Sequence, residues 1–198
     1  MYRKGGTTIL INKKKHPAEE NQTTSEFADQ DELSLLMREY GQRVLWLSYS
    51  YVKDKNLAED ITQDVFLNCY EKLGTFREES SIKTWIYRIT TNRCKDVMKS
   101  RVYKYKKVTQ SLFDQFVSKD DTPEVVLMRK AEEKELSLAV LALPLKYREV
   151  IFLYYFENLK VDEISKLLSI NANTVKTRLF RGRELIKQMY ERGEENGR

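Results

Sequence analysis

The chain has 198 residues, 41% of them hydrophobic, which is enough for two small domains or one of medium size. Seven glycines, three prolines and almost no strand-like alternation argue against a β-rich fold and predict an all-α protein. A net charge of +5 favours a polyanionic partner, while two cysteines and one histidine exclude a four-ligand zinc site built from this chain alone.

Residues 1–28 are polar, lysine-rich and aperiodic, and read as a flexible tail. Thr7-Thr8-Ile9-Leu10-Ile11 is too short for a signal-peptide core. No stretch approaches the ~20 apolar residues of a membrane span, so direct membrane insertion is not expected.

From about Asp31 the pattern turns helical. Leu33, Leu36, Met37, Tyr40, Val44, Leu45 and Leu47 mark an amphipathic helix through Tyr51. Asp54-Lys55-Asn56 breaks it. Asn56 can cap the next helix, with Glu59 completing a capping-box pair. That helix runs to about Leu73 and stops at Gly74, a natural helix-terminating residue. Its apolar arc holds Leu57, Ala58, Ile61, Val65, Phe66, Cys69 and Leu73. The opposite arc mixes Asp60, Gln63, Asp64, Leu67, Tyr70 and Glu71. Such a mixture fits a protein–protein contact, although two exposed apolar residues can also be incidental.

After a loop from Thr75 to Ser80, which holds Phe76 and Arg77, Ser80 or Ser81 caps a third helix reaching about Arg101. Ile82, Ile86, Ile89 and Val97 point one way, and Arg88, Asn92, Lys95 and Lys99 form a second stripe with Trp85 at its border. Aromatic rings beside a cationic groove suit single-stranded DNA: bases stack at ~1–3 kcal/mol each and cations follow the phosphates. Trp85 or Tyr87, taken alone, reads better as a core residue. Cys69 and Cys94 lie in apolar helical stretches and read as buried thiols, which fits a reducing compartment.

Residues 103–130 are predicted to be a linker, mixed and polar over 103–121, with Thr122-Pro123-Glu124 as a helix restart. Helices follow to Leu143, Pro144 interrupts, and Tyr147, Val150, Ile151 and Tyr154 pattern another helix that Asn158 closes. Two further helices then make a helix-turn-helix, within a domain spanning 131–192 before a short tail at 193–198. The first has an apolar face of Val161, Ile164, Leu167 and Leu168. The second buries Val175, Leu179, Gly182, Ile186 and Met189. On its far side or edges lie Asn173, Lys176, Thr177, Phe180 and Arg181, with Arg178 and Arg183 flanking the apolar arc. Donors, a methyl and an aromatic edge suit base edges in a major groove, and cations suit phosphates.

Three segments together resemble the extracytoplasmic-function group of bacterial sigma factors. Ala58-Glu59-Asp60-Ile61-Thr62-Gln63-Asp64-Val65-Phe66 is similar to the polymerase-binding helix. Thr84-Trp85-Ile86-Tyr87-Arg88-Ile89-Thr90-Thr91-Asn92 is similar to the segment that meets the promoter −10 element. Thr174-Val175-Lys176-Thr177-Arg178-Leu179-Phe180-Arg181-Gly182-Arg183 is similar to the −35 recognition helix. The likeness spans roughly residues 30–192, in the family's order. It implies two helical domains joined by a flexible linker, a region 2 over 29–102 and a region 4 helix-turn-helix over 131–192.

The resemblance implies an alternative sigma factor of stress-response type that binds core RNA polymerase and promoter DNA without a cofactor and without catalysis of its own. Asp60, Gln63, Asp64 and Leu67 would meet core polymerase. Phe76, Arg77, Trp85, Arg88, Asn92 and Lys95 would bind the −10 element and help melt it. Asn173, Lys176, Thr177, Arg178, Phe180 and Arg181 would bind the −35 element. It also implies a cytoplasmic location and an anti-sigma factor that, where membrane-linked, would hold the protein at the membrane. Two positions depart from the family pattern: Ser169 replaces the usual turn glycine, and Lys160 the usual serine cap. A dimeric repressor or activator with the same C-terminal fold is the competing reading. An enzyme has few candidate residues, with one histidine and no glycine-rich phosphate loop.

Overall fold

A computed structural model describes residues 22–75, 81–100 and 131–196, with side chains at 32–74, 81–100 and 135–191. The expected tail before residue 22, the Phe76–Ser80 loop and the linker with its Thr122-Pro123 restart lie outside the described residues. All regular elements among the described residues are helical.

Helix α1 spans Gln22–Val52. It begins well ahead of Asp31, so part of the expected tail is helical. Leu36, Tyr40, Val44, Leu47 and Tyr51 recur every three or four residues and are all buried, forming the stripe on which the other helices pack. Each such side chain contributes about 1.5–3 kcal/mol on burial. Met37, expected in that stripe, is exposed.

Helix α2 spans Lys55–Lys72 and is capped by Asp54, whose carboxylate accepts from the Leu57 N–H at 3.0 Å. The cap is therefore Asp54 and not Asn56. Lys53, at φ 55°, turns the chain so that Asp54 meets the free amides first. Gly74 does not end α2 in a left-handed conformation either; it lies within a 3-10 turn, Leu73–Thr75, that prolongs the helix. Helix α3, Ile82–Lys99, is capped by Ser81, whose hydroxyl accepts from the Thr84 N–H at 3.2 Å. Ala58, Ile61, Val65 and Cys69 of α2 and Ile86 and Cys94 of α3 are buried, and α1, α2 and α3 pack on one another as a three-helix bundle.

The C-terminal bundle opens with α4 (Ala131–Ala142). Pro144 precedes α5 (Leu145–Ile151), which continues without a break into a π-helical turn, Phe152–Phe156. Asn158, at φ 52°, closes it. Helix α6 (Val161–Leu168) and helix α7 (Ala172–Asn196) complete the helix-turn-helix, and α7 runs on through most of the expected C-terminal tail. Ile164, Leu167 and Leu168 of α6 and Val175 and Leu179 of α7 are buried with Val150, Ile151 and Leu153. Met189, expected on the buried arc, is exposed. The two bundles touch: α3 packs on α6 and α1 on α5.

Candidate nucleic-acid interface

The turn between α6 and α7 decides how the second helix is presented. Ser169 adopts a left-handed conformation, φ 55° and ψ 46°, which is the geometry glycine would supply. The Ile170 N–H donates to the Ser165 carbonyl at 3.1 Å, and the Ser165 hydroxyl donates to the Ile170 carbonyl at 2.6 Å. These bonds hold the turn, so the missing glycine leaves its shape intact. At the start of α6 the Lys160 N–H donates to the Glu163 carboxylate at 2.7 Å, half of the usual capping box. Asn171 accepts from the Asn173 N–H at 2.8 Å and caps α7.

Helix α7 then seats against α5 at Gly182. A Cβ there would lie 2.9 Å from Ile151 Cγ1, so only glycine permits this approach. On the outer side Asn173, Lys176, Thr177, Phe180 and Arg181 are all exposed. Phe180 keeps 58% of its surface in solvent, a cost for a phenylalanine unless something covers it. The Thr177 hydroxyl donates back to the Asn173 carbonyl at 2.8 Å and has only acceptor capacity to offer outward. Tyr147 lies beside Arg181, and the guanidinium lowers its phenol from the ordinary value.

Arg178 departs from the expectation. Its guanidinium turns away from the outer face and donates to Glu149 at 2.9 Å, with 25% of the side chain exposed. Glu149 is an acidic residue within α5, and no local pattern pairs it with α7.

The outer face of α3 is divided. Arg88 and Asn92 are exposed. Trp85 is half-buried, and Tyr87 is wholly buried in the core. Lys95 is 3.7 Å from Glu149, so it faces the other bundle rather than open solvent. Phe76 and Arg77 lie outside the described residues.

On α2, Asp60 and Gln63 are exposed, Leu67 is 61% exposed and Tyr70 is also exposed. Asp64 is half-buried and accepts from Arg93 Nε and Nη2 at 2.9 and 2.6 Å. It supports the helix pair as well as facing outward. Both cysteines are buried, and burial pushes each thiol up to about 12, which leaves them unreactive. Among the described residues no group of three or more His, Cys, Asp or Glu could hold a metal ion, and no helix is long and apolar enough to cross a membrane.

Sequence reasoning missed the cross-bundle carboxylates Glu149 and Glu157. A signal existed for one: Glu149 directly precedes Val150, Ile151, Phe152 and Leu153, all buried, whereas nothing in the neighbours of Glu157 marks it.

Comparison with known proteins gives the arrangement a family. The Sigma-70 region 2 profile matches residues 36–102, and the Sigma-70 region 4 profile matches residues 133–186. The chain is 30% identical over 167 residues to the ECF RNA polymerase sigma factor SigW of Bacillus subtilis, covering 81% of this chain and 89% of that protein. It is 32% identical over 165 residues to the RNA polymerase sigma-H factor of Pseudomonas aeruginosa, covering 80% and 86%. In fold it is similar to the sigma factor RpoE from Bartonella quintana, solved with the anti-sigma factor NepR, at a TM-score of 0.62, 19% identity and coverage of 84% of this chain and 98% of that one. With both regions matched in order and the helix-turn-helix in place, this chain belongs to the extracytoplasmic-function group of sigma-70-type RNA polymerase sigma factors, which direct promoter-specific transcription initiation.

Proposed function

We propose that α2 offers the face for core polymerase, α3 reads the −10 element and α7 reads the −35 element. The observation that carries this reading is the separation of three exposed faces on three helices. One is acidic and apolar (Asp60, Gln63, Leu67), and two are cationic with an aromatic nearby (Arg88, Asn92 and Trp85; Lys176, Arg181 and Phe180). A DNA-binding regulator of the dimeric kind has no use for the first. The chain acts by binding, with no catalytic step of its own: it positions polymerase and traps unstacked bases, at a few kcal/mol per flipped nucleotide. An anti-sigma factor, as held by the Bartonella quintana RpoE in its solved complex, fits as the partner that keeps this chain from polymerase. A membrane-linked one would keep the otherwise cytoplasmic protein at the membrane.

The test of the polymerase face follows from its geometry. Asp64 already serves Arg93, so a change there mixes two effects. Asp60→Arg with Leu67→Arg touches only exposed positions. The double variant should keep its helical content and lose core-polymerase binding by about 2 kcal/mol or more, as for residues at the centre of an interface. Unchanged co-purification with core enzyme would remove α2 from the interface. Run-off transcription on a genomic library with purified core enzyme would test the activity and return the promoters.

A further inference from the structure

The reading heads do not account for two buried carboxylates. Glu149, in α5, and Glu157, just past the π turn, are 6% and 2% exposed. Their partners come mainly from the other bundle. Tyr87 of α3 donates its hydroxyl to Glu157; Lys83 Nζ lies 3.5 Å and Arg43 of α1 3.7 Å from the same carboxylate. Lys83 also donates to the Glu157 carbonyl. Tyr51 of α1 donates to Glu149 at 2.9 Å, and Lys95 of α3 lies 3.7 Å from it, with Arg178 of α7 completing the set. The Phe152 carbonyl accepts from the Glu157 N–H at 3.2 Å, the wide bond of the π turn that sets Glu157 toward α3.

Buried carboxylates are unfavourable unless paired, so this contact is specific to one closed arrangement of the bundles and is more than loose apolar packing. The cations matter as much as the acids. Lys95 belongs to the α3 stripe with Arg88 and Asn92, Lys83 stands one turn from Tyr87 on the same helix, and Arg178 belongs to the recognition helix. A carboxylate and a phosphodiester offer such donors the same pair of anionic oxygens.

We infer that Glu149 and Glu157 are internal phosphate mimics. They hold the two bundles closed by occupying cationic positions that promoter DNA takes when the chain opens. Arg43, Lys83 and the Tyr87 hydroxyl form one phosphate site on the −10 side. Lys95 and Arg178, gathered on Glu149 in the closed form, separate on opening and return to the −10 and −35 heads. Closure and DNA binding are then mutually exclusive, and apparent DNA affinity is reduced by the fraction of open molecules. This inference rests on the proposed placement of the DNA-reading faces.

The test uses the full chain. Glu157→Lys sets a cation against Lys83 and Arg43 in the closed form, whereas in the open form the new side chain is solvated. Small-angle X-ray scattering should show a larger radius of gyration. Affinity for a short mixed-sequence single-stranded DNA should rise about tenfold if the open form is about a tenth of the wild-type population. Glu184→Lys makes the same charge change at an exposed position on α7 and should leave the radius unchanged with a much smaller gain. The swap of Glu157→Lys with Lys83→Glu should restore the compact radius, a rescue that simple misfolding would not produce. A Glu157→Lys protein that stays compact, or opens and binds no tighter than Glu184→Lys, overturns the inference. Wild-type run-off transcription separates the two levels. Initiation alongside an unresponsive Glu157→Lys sinks the inference alone, and no initiation on any native template takes down both.

Discussion

Helices α3 and α7 both carry cationic outer faces that we propose read DNA, yet they meet their surroundings differently. The outer face of α7 is open: Lys176, Phe180 and Arg181 face solvent over the length of the recognition segment. The corresponding face of α3 is open at Arg88, Asn92 and Lys99, while Lys83 and Lys95 are engaged by acids from the other bundle. The difference teaches that a cationic stripe specifies an anionic partner without saying which one. DNA phosphate and a protein carboxylate satisfy the same donors, and the chain's own acids are always at hand.

The comparison breaks most sharply at the seat of α7. Gly182→Val should destabilise the C-terminal bundle by about 2–3 kcal/mol, because the branched side chain must displace the buried Ile151. Thermal unfolding should then separate a weakened C-terminal bundle from an unchanged N-terminal one. A single unshifted transition would show that α7 can move off α5 without loss.

Arg181→Ala sharpens the open half of the comparison. If the guanidinium reads a base, its removal should cost about 1–3 kcal/mol at the cognate −35 element and less on other sequences. Binding titrations on matched and scrambled duplexes check this, and an equal loss on both would make Arg181 a phosphate contact.

The smallest effect concerns the covered half. Lys83, Arg43 and Tyr87 face Glu157, with Tyr40 contributing at longer range. Burial is the largest influence on the Glu157 carboxyl and raises its pKa above the usual 4.5 despite the nearby cations. The closed form therefore holds the proton more tightly than an open form with an ordinary carboxyl. Protonation adds to closure, an increment that is complete below 4.5 and is lost as pH rises through the raised value; above it the ion pairs with Lys83 and Arg43 remain and hold the bundles less tightly. Mild acidification from neutrality should thus compact the chain slightly, as read by scattering. Tyr87 is raised as well, chiefly by burial, so its phenol stays protonated and donating throughout that range. Expansion on acidification over this window would contradict the assigned sign.

Much of the site was legible one helix at a time. The outer residues of α7 and the mixed face of α2 follow from the 3.6-residue period, because each face belongs to a single continuous helix. Helix termini were less legible. Asp54 displaced Asn56 as the cap because the backbone of Lys53 delivers it to the free amides first, and Ser169 took the left-handed turn because its neighbours' hydrogen bonds hold it there. Lys95 and Arg178 were assigned wholly to DNA, since nothing near them in the chain competes for their charge. Their partner Glu149 is 29 residues from Arg178 and is brought there only by packing.

The pattern of apolar residues along the chain by itself determined the all-helical fold, the order of its helices and which residue types line each outer face, because a helix's two sides are set by local periodicity. Family membership was readable at the same level, from three short segments in series. Only the tertiary structure decided that the two bundles meet, that Glu149 and Glu157 are buried between them, and that part of the cationic face of α3 is covered. Those outcomes depend on charges distant in sequence meeting where the carboxylates are buried, so that pairing and desolvation nearly balance and no local rule predicts the winner.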